Sequence, residues 1–194
     1  RPEGNPLRLW AVMPARLKNL LVSDILIRFC EQIPYAFVVV WSMKIVGISA
    51  VQFGILTAIE MATAALIYIP TAYFSDRGTR KPFVVITFWI FSAFPLVLLF
   101  SNSYVLLIIA FVIRGLKEFG EPTRKALILD LAPEDKKAGM FGLYYLVRDV
   151  IVSIAAFAGA YLWEVSPNVN LLTAFGFGVV GSVLYMIFGK DARE

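Results

Sequence analysis

The sequence has 194 residues, of which 59% are hydrophobic and only 16% are charged, and its formal net charge is +4. A mean hydropathy of +0.76 lies outside the range of soluble domains and excludes an ordinary globular protein. Since a helix needs roughly 20 apolar residues to cross the hydrocarbon core of a bilayer, the composition predicts an all-α membrane protein with several spans.

The chain divides into a leader, six apolar segments and a tail. Residues 1–19 are basic and interrupted by prolines, and we interpret them as a cytoplasmic amphipathic leader. The six segments are predicted transmembrane helices and lie approximately at 20–46, 50–74, 82–100, 104–131, 140–165 and 169–189. We expect residues 20–189 to form one transmembrane domain and residues 190–194 to form a cytoplasmic tail.

Basic residues mark the loops on one side of the predicted membrane domain. They precede the first span or follow the second, fourth and sixth: Arg1, Arg8, Arg16, Lys18, Arg77, Arg80, Lys81, Lys136, Lys137, Lys190 and Arg193. Among the opposite loops, only the first holds a cation, Lys44. Because cytoplasmic loops are enriched in Lys and Arg, we expect both termini in the cytoplasm and the protein in the cell (inner) membrane. The positive charge is thereby explained without a nucleic-acid partner.

Two halves of the chain resemble each other. A shift of 88 positions aligns residues 52–76 of the second span with residues 140–164 of the fifth without a gap. A shift of 90 positions places the charges of the first span on charged positions of the fourth. The pattern predicts a three-helix unit used twice, and an odd number of spans makes the repeat inverted. The alternative is chance recurrence of the small and aromatic residues that any membrane chain contains.

Charged side chains inside the first predicted span are candidate functional residues. Asp24, Arg28 and Glu31 follow one another at helical spacing, with Gln32 and Tyr35 beside them. A charge at the centre of a bilayer costs about 2.5–3.5 kcal/mol on the insertion scale. This helix face is therefore predicted to contact water or other charges and not lipid.

Further charges in the other spans divide the candidates into two groups. Glu60 lies near the middle of the second span, and it is our proton-coupling candidate because burial disfavours the charged form of a carboxyl group. The predicted solute and proton path consists of Arg28, Glu31, Gln32, Tyr35 and Glu60. A predicted network of structural charge pairs near the cytoplasmic interface consists of Asp24, Arg114, Glu118, Glu121, Arg148 and Asp149.

Three further features of the sequence bear on function. The absence of histidine excludes HExxH zinc sites and Ser-His or Cys-His pairs, so we expect no enzyme, no cofactor and no metal. Gly176, Gly178 and Gly181 in the sixth span predict close helix packing. Three aromatic residues are candidates for stacking on an aromatic solute: Tyr144, Tyr145 and Trp163. For Trp163 we prefer a position at the membrane interface, where tryptophan is enriched.

The loop between the second and third spans reads SDRGTRKP, with the candidate motif residues Asp76, Arg77, Gly78, Arg80 and Lys81. This loop resembles the motif of the major facilitator superfamily, in which an Asp-Arg pair, a Gly and two basic residues join the second and third helices of a six-helix half. Ala72 stands where that family prefers Gly. Residues 114–149 are similar to the fourth-to-fifth helix region of the same family.

The resemblance implies one six-helix half, the C-terminal one, of a twelve-span major facilitator fold, with residues 1–19 as the linker between the halves. It implies secondary active transport of a small solute by alternating access, and we expect proton coupling. Export of amphipathic compounds is indicated only by the aromatic and methionine content of the spans. The implied partners are the lipid bilayer, a small-molecule solute, and a second six-helix half in the same or a separate chain, or a self-dimer. The alternative function is a non-transporting six-helix membrane scaffold or receptor.

Overall fold

A computed structural model describes residues 5–75 and 78–191, and within these ranges the chain is helical without a β-strand. The first helices are α1 (Pro6–Val12), α2 (Ala15–Tyr35) and the short α3 (Phe37–Val40). A π-helical turn, Trp41–Ile45, continues α3, and α2 meets this segment at a bend of 42°. Pro34 lies inside α2 immediately before the bend, where a proline removes a backbone hydrogen-bond donor.

The remaining helices form the rest of the bundle. They are α4 (Ala50–Ser75), α5 (Lys81–Leu99), α6 (Tyr104–Leu116), α7 (Glu121–Leu131), α8 (Lys137–Val165) and α9 (Pro167–Phe188). Short 3-10 turns precede α7 at Lys117–Gly120 and α8 at Glu134–Lys136. The helices α5, α7 and α9 each begin with a proline in the first turn, where its missing N–H has no helical partner to lose.

The described residues contain four helices that are long and apolar enough to cross a membrane, namely α4, α5, α8 with its preceding turn, and α9. The bent pair of α2 with residues 37–45 makes five if it counts as one span. The all-helical membrane fold predicted from the sequence is therefore confirmed. The inverted repeat and the division into leader, membrane domain and tail stay predictions.

The predicted fourth span is interrupted and does not form one helix over 104–131. Gly120 lies so close to the carbonyl oxygen of Phe83 that a Cβ atom would not fit. The Thr87 hydroxyl donates to the Lys117 carbonyl oxygen at 3.2 Å and accepts from the Gly120 N–H. A side chain of α5 thus satisfies backbone groups that the helix break leaves without their helical partners.

The first helix of the bundle also begins earlier than predicted. α2 starts at Ala15, five residues before the predicted first span, and α1 packs against α8. Leu9 and Met13 are buried in the same apolar cluster as Leu17 and Met140. Residues 5–19 therefore belong to the packed bundle, because their apolar side chains help to form its core.

Helix α9 packs along both α2 and α5. Gly178 faces Ser92 and Cys30, and Gly181 faces the Ser23 carbonyl oxygen, both at distances that leave little or no room for a Cβ atom. The predicted close packing is confirmed at these two glycines. At Gly176 it is wrong, since a Cβ atom there would meet nothing within 4 Å.

Candidate functional site

An open groove of about 560 Å³ lies between α2, α4 and α6. Its volume falls in the usual range for small-molecule sites, roughly 300–1,000 Å³. Its walls are formed by Glu31, Tyr35, Ala36, Val38, Val39, Phe53, Thr57, Glu60, Met61, Arg114 and Lys117. We call this space the α2–α4–α6 groove; it combines charged side chains with apolar ones.

The charged centre of the groove is an ion pair between α4 and α6. Arg114 Nη1 lies 3.3 Å from Glu60 Oε2, and both side chains are largely buried. The guanidinium carbon of Arg114 is 5.2–5.8 Å from the ring centroids of Phe94, Tyr35 and Phe111, a distance at which cations and rings attract. Gly115 contacts the Glu60 carbonyl oxygen so closely that a Cβ atom would clash. The two helices therefore approach one another at this pair.

A second cluster of charges centres on Asp24, which is completely buried. Its carboxylate accepts hydrogen bonds from Arg124 Nη1 and the Tyr144 hydroxyl, each at 2.8 Å. Longer contacts of 3.4 and 3.5 Å join it to Arg28 Nε and Arg148 Nη1. One carboxylate thus connects α2, α7 and α8.

Arg28 extends this cluster to two more carboxylates. Its guanidinium donates to Glu31 at 3.0 Å and to Glu121 at 2.9 Å. Glu121 also binds Arg124 through two contacts of 3.1 and 2.9 Å, and Glu31 binds Lys117 at 2.5 Å. Alternating charges from four separate helical segments therefore form one continuous arrangement.

We call this arrangement the Asp24 network, and its charges are nearly balanced. Its cations are Arg28, Lys117, Arg124 and Arg148, and its carboxylates are Asp24, Glu31 and Glu121. The exposed carboxylate of Asp149, 2.8 Å from Arg148 Nε, supplies a fourth negative charge at the edge. Pairing of this kind offsets the desolvation that makes isolated charges costly inside a membrane protein.

The structure groups the charged residues differently from the two predicted sets. Arg28 and Glu31 were predicted to lie in the path apart from the pairing charges, yet both are members of the Asp24 network. Arg114 was predicted to join the network, yet it pairs with Glu60 in the groove. Sequence spacing indicated which face of each helix is charged, but it contains no information on which helices meet.

Three other predicted residues are less closely tied to these clusters. Tyr35 is 56% exposed at the groove and has Arg114 over its ring. Glu118 lines a neighbouring pocket of about 320 Å³ that shares Glu60 and Arg114 with the groove, and within the described ranges it makes no ion pair. Gln32 is partly buried and makes no hydrogen bond to any described side chain.

Of the predicted loop motif, the structure describes Gly78, Arg80 and Lys81. Asp76 and Arg77 lie outside the described residues. Arg80 Nε is 3.2 Å from Asp130 at the end of α7, and the backbone N–H groups of Arg80 and Lys81 donate to the Asp191 carboxylate. Gly78 is exposed, with open space where a Cβ atom would stand. The loop is thus attached to α7 and to the residues after α9.

Several functional candidates were missed or misassigned. Lys117, Arg124 and Tyr144 complete the Asp24 network. The charge pattern of the fourth span indicates structural pairing for Lys117 and Arg124, whereas Tyr144 was predicted only as a possible stacking residue. Tyr144 is buried and bound to Asp24. Trp163 stacks on Phe37 at 4.6 Å between ring centroids, so its ring already has an aromatic partner.

No group of three or more acidic or cysteine side chains in residues 5–75 and 78–191 is arranged to hold a metal ion. The side chains that line the groove offer ion pairing, hydrogen bonding and apolar contact. A groove of this size with one ion pair inside is suited to binding a small molecule of mixed character.

Known proteins resemble this chain over most of its length. An uncharacterized MFS-type transporter of Methanocaldococcus jannaschii, MJ1317, is 29% identical over 154 residues, which are 79% of this chain and 36% of that protein. An uncharacterized MFS-type transporter of Bacillus subtilis, YqjV, is 25% identical over 178 residues, which are 89% of this chain and 42% of that protein. The chain spans less than half the length of these relatives. The family model of the Major Facilitator Superfamily matches residues 20–194, and the chain therefore belongs to this superfamily as an integral membrane protein.

Proposed function

We propose that the protein moves a small solute across the membrane by secondary active transport, and that the α2–α4–α6 groove is part of the solute path. The observation that carries the proposal is the Glu60–Arg114 ion pair inside an open groove. Ionisable groups in membrane spans are costly and are kept at substrate and ion pathways. Membership in the superfamily and the transporter names of both relatives support the same function.

The groove needs a second wall. Helix α4 buries very little of its surface in this bundle, and its exposed side chains include Val51, Met61, Leu66 and Ile69. We propose that a second six-helix half, in the same polypeptide or in another chain, covers α4 and closes the groove. In that arrangement the two halves would be related by an axis along the membrane normal, and the groove would face the path between them.

Alternating access and proton coupling complete the proposal. The Asp24 network holds α2, α7 and α8 together, so this half is proposed to rock as a unit against its partner. Glu60 is proposed to exchange protons, because it is the groove carboxylate outside the network. We propose that the protein lies in the cell (inner) membrane and that both of its termini are cytoplasmic. A non-transporting membrane scaffold would not need the Glu60–Arg114 ion pair inside an open groove.

The proposal is tested by solute-dependent proton movement in proteoliposomes. Vesicles containing the protein and a trapped pH-sensitive dye are challenged with organic anions, organic cations and neutral solutes under an inward and then an outward proton gradient. We expect solute-dependent proton flux in the wild type and its loss in Glu60→Gln, which cannot exchange the proton.

Glu164→Gln is the matched control, because Glu164 is an exposed carboxylate at the end of α8, away from the groove. It is expected to retain the flux. If Glu60→Gln also retains it, the assigned coupling residue is wrong, and if no solute produces flux with folded protein, the transport proposal fails.

A further inference from the structure

Arg114 differs from the other buried cations of the bundle in how it is held. Its guanidinium lies among the rings of Tyr35, Phe94 and Phe111, of which the latter two are buried. These contacts fix its position without using its N–H groups. A guanidinium offers five N–H donors, and within the described ranges the Glu60 contact is the only ion pair that Arg114 makes. Donor capacity therefore remains at the groove.

The other cation of the groove is held by a carboxylate that also belongs to the Asp24 network. Lys117 Nζ lies 2.5 Å from Glu31 and 5.5 Å from the Phe91 ring. Glu31 is itself bound by both Lys117 and Arg28, so a solute that displaced Glu31 from Lys117 would also disturb the Asp24 network. The Glu60–Arg114 contact is the groove pair that a solute can open without breaking that network.

A solute can open the Glu60–Arg114 pair by breaking a single contact. Its separation of 3.3 Å exceeds the roughly 2.7–2.9 Å that is usual for charge-assisted N–H···O bonds. Arg114 contacts three rings, whereas Glu60 lies on α4, which is the least covered of the four helices that are long and apolar enough to cross a membrane. A planar oxyanion that binds the guanidinium through two parallel bonds would be a stronger partner than Glu60 at this distance.

Next to this pair, the groove has an apolar wall. Val38, Val39, Phe53 and Met61 line it together with Thr57. Apolar side chains stabilise a ligand in proportion to the apolar surface that it buries. A ligand with an anionic head at Arg114 would place its remaining atoms against this wall.

We propose that the solute of the α2–α4–α6 groove is an organic anion with an apolar body, and that its head group binds Arg114 in place of Glu60. The inference rests on the proposed function of the groove as a solute path. It assigns Arg114 as the specificity-determining contact and Glu60 as the internal competitor that the solute displaces.

A matched pair of probes tests the proposal. The ligands 4-phenylbutyrate and 4-phenylbutylamine share their apolar body and differ in the sign of their charge. We expect the full chain in lipid nanodiscs to bind the anion at least about tenfold more tightly than the amine in isothermal titration calorimetry, as one charged hydrogen-bonded contact provides. Arg114→Gln should lose this preference, whereas Glu60→Gln should bind the anion more tightly because the competitor is gone.

Lys125→Gln is the matched control, since Lys125 is an exposed cation on α7 outside the groove, and it should bind as the wild type does. The Glu60→Gln result keeps the test decisive if Arg114→Gln fails to fold. The proposal is overturned if the wild type prefers the amine or if Glu60→Gln binds the anion more weakly than the wild type. It is also overturned if neither the wild type nor Glu60→Gln binds the anion.

This measurement separates the inference from the proposed function. Binding in nanodiscs does not require transport, so anion binding without flux in proteoliposomes contradicts transport alone. Flux of an organic cation without anion binding contradicts the solute class alone.

Discussion

Replacing Asp24 by Asn is expected to lower the free energy of unfolding by about 3–5 kcal/mol, the usual result of removing one partner from a buried ion pair. The Asp24 carboxylate is completely buried and receives Arg124 and the Tyr144 hydroxyl at 2.8 Å. Without its charge, four largely buried cations of the network face the carboxylates of Glu31 and Glu121 and the exposed carboxylate of Asp149. The measurement is unfolding in mixed micelles with increasing SDS, followed by tryptophan fluorescence.

Asp149→Asn is the control for this prediction. Asp149 also pairs with an arginine, Arg148 at 2.8 Å, but its own side chain is 62% exposed. Exposed pairs contribute roughly 0–1 kcal/mol, so its loss should change stability little. Equal and small effects of both substitutions would contradict the role of Asp24 as the centre of the network.

Gly159→Ala is expected to destabilise the protein by about 1–3 kcal/mol, the usual cost of overpacking. A Cβ atom at Gly159 would clash with the Ile33 carbonyl oxygen, and a backbone group cannot move aside as a flexible side chain can. Asn170 Nδ2 bridges the carbonyl oxygens of Ile33 and Gly159 at 3.1 and 2.8 Å. Separating α8 from α2 would also break this bridge.

Gly142→Ala provides a control in the same helix. A Cβ atom at Gly142 meets nothing within 4 Å, and alanine is the better helix former by roughly 0.5–1 kcal/mol. We expect it to be neutral or stabilising in the same SDS titration. If both glycine substitutions have the same effect, close approach of α8 to α2 at Ile33 is not a determinant of stability.

Much of the architecture could be predicted from the sequence, because hydrophobic length is the dominant signal in a membrane protein. The helices α4, α5, α8 and α9 lie close to four of the predicted spans. The break at Lys117–Gly120 was not predicted, since it depends on Thr87 and Phe83 of another helix. The burial of Leu9 and Met13 was missed because a short amphipathic segment gives no indication of what it packs against.

The site was predicted less well than the fold. Charge at helical spacing identified Asp24, Arg28 and Glu31, and these residues do lie at a common interior region. The pairing of Glu60 with Arg114 was not predicted, because they are 54 positions apart on helices whose contact is made by Gly115. Ion pairs between helices depend on three-dimensional packing, and sequence periodicity describes each helix by itself.

The two charged clusters suit different tasks in a carrier. The Asp24 network is closed and heavily paired, which favours a rigid connection between α2, α7 and α8. The Glu60–Arg114 pair is a single contact and faces open space. We propose that this pair can exchange its partner while the surrounding bundle keeps its shape.

If the groove is a path that opens in turn to both sides of the membrane, a cysteine at position 57 should be reachable from each side. Thr57 lines the groove, and Cys30 is the one cysteine of the chain, so Thr57→Cys in a Cys30→Ser background gives a single reporter. Ser92→Cys in the same background is the buried control. We predict that a membrane-impermeant maleimide labels the Thr57→Cys protein from either face of proteoliposomes and leaves the Ser92→Cys protein unlabelled. Labelling of the Thr57→Cys protein from one face only, or from neither, would contradict the account.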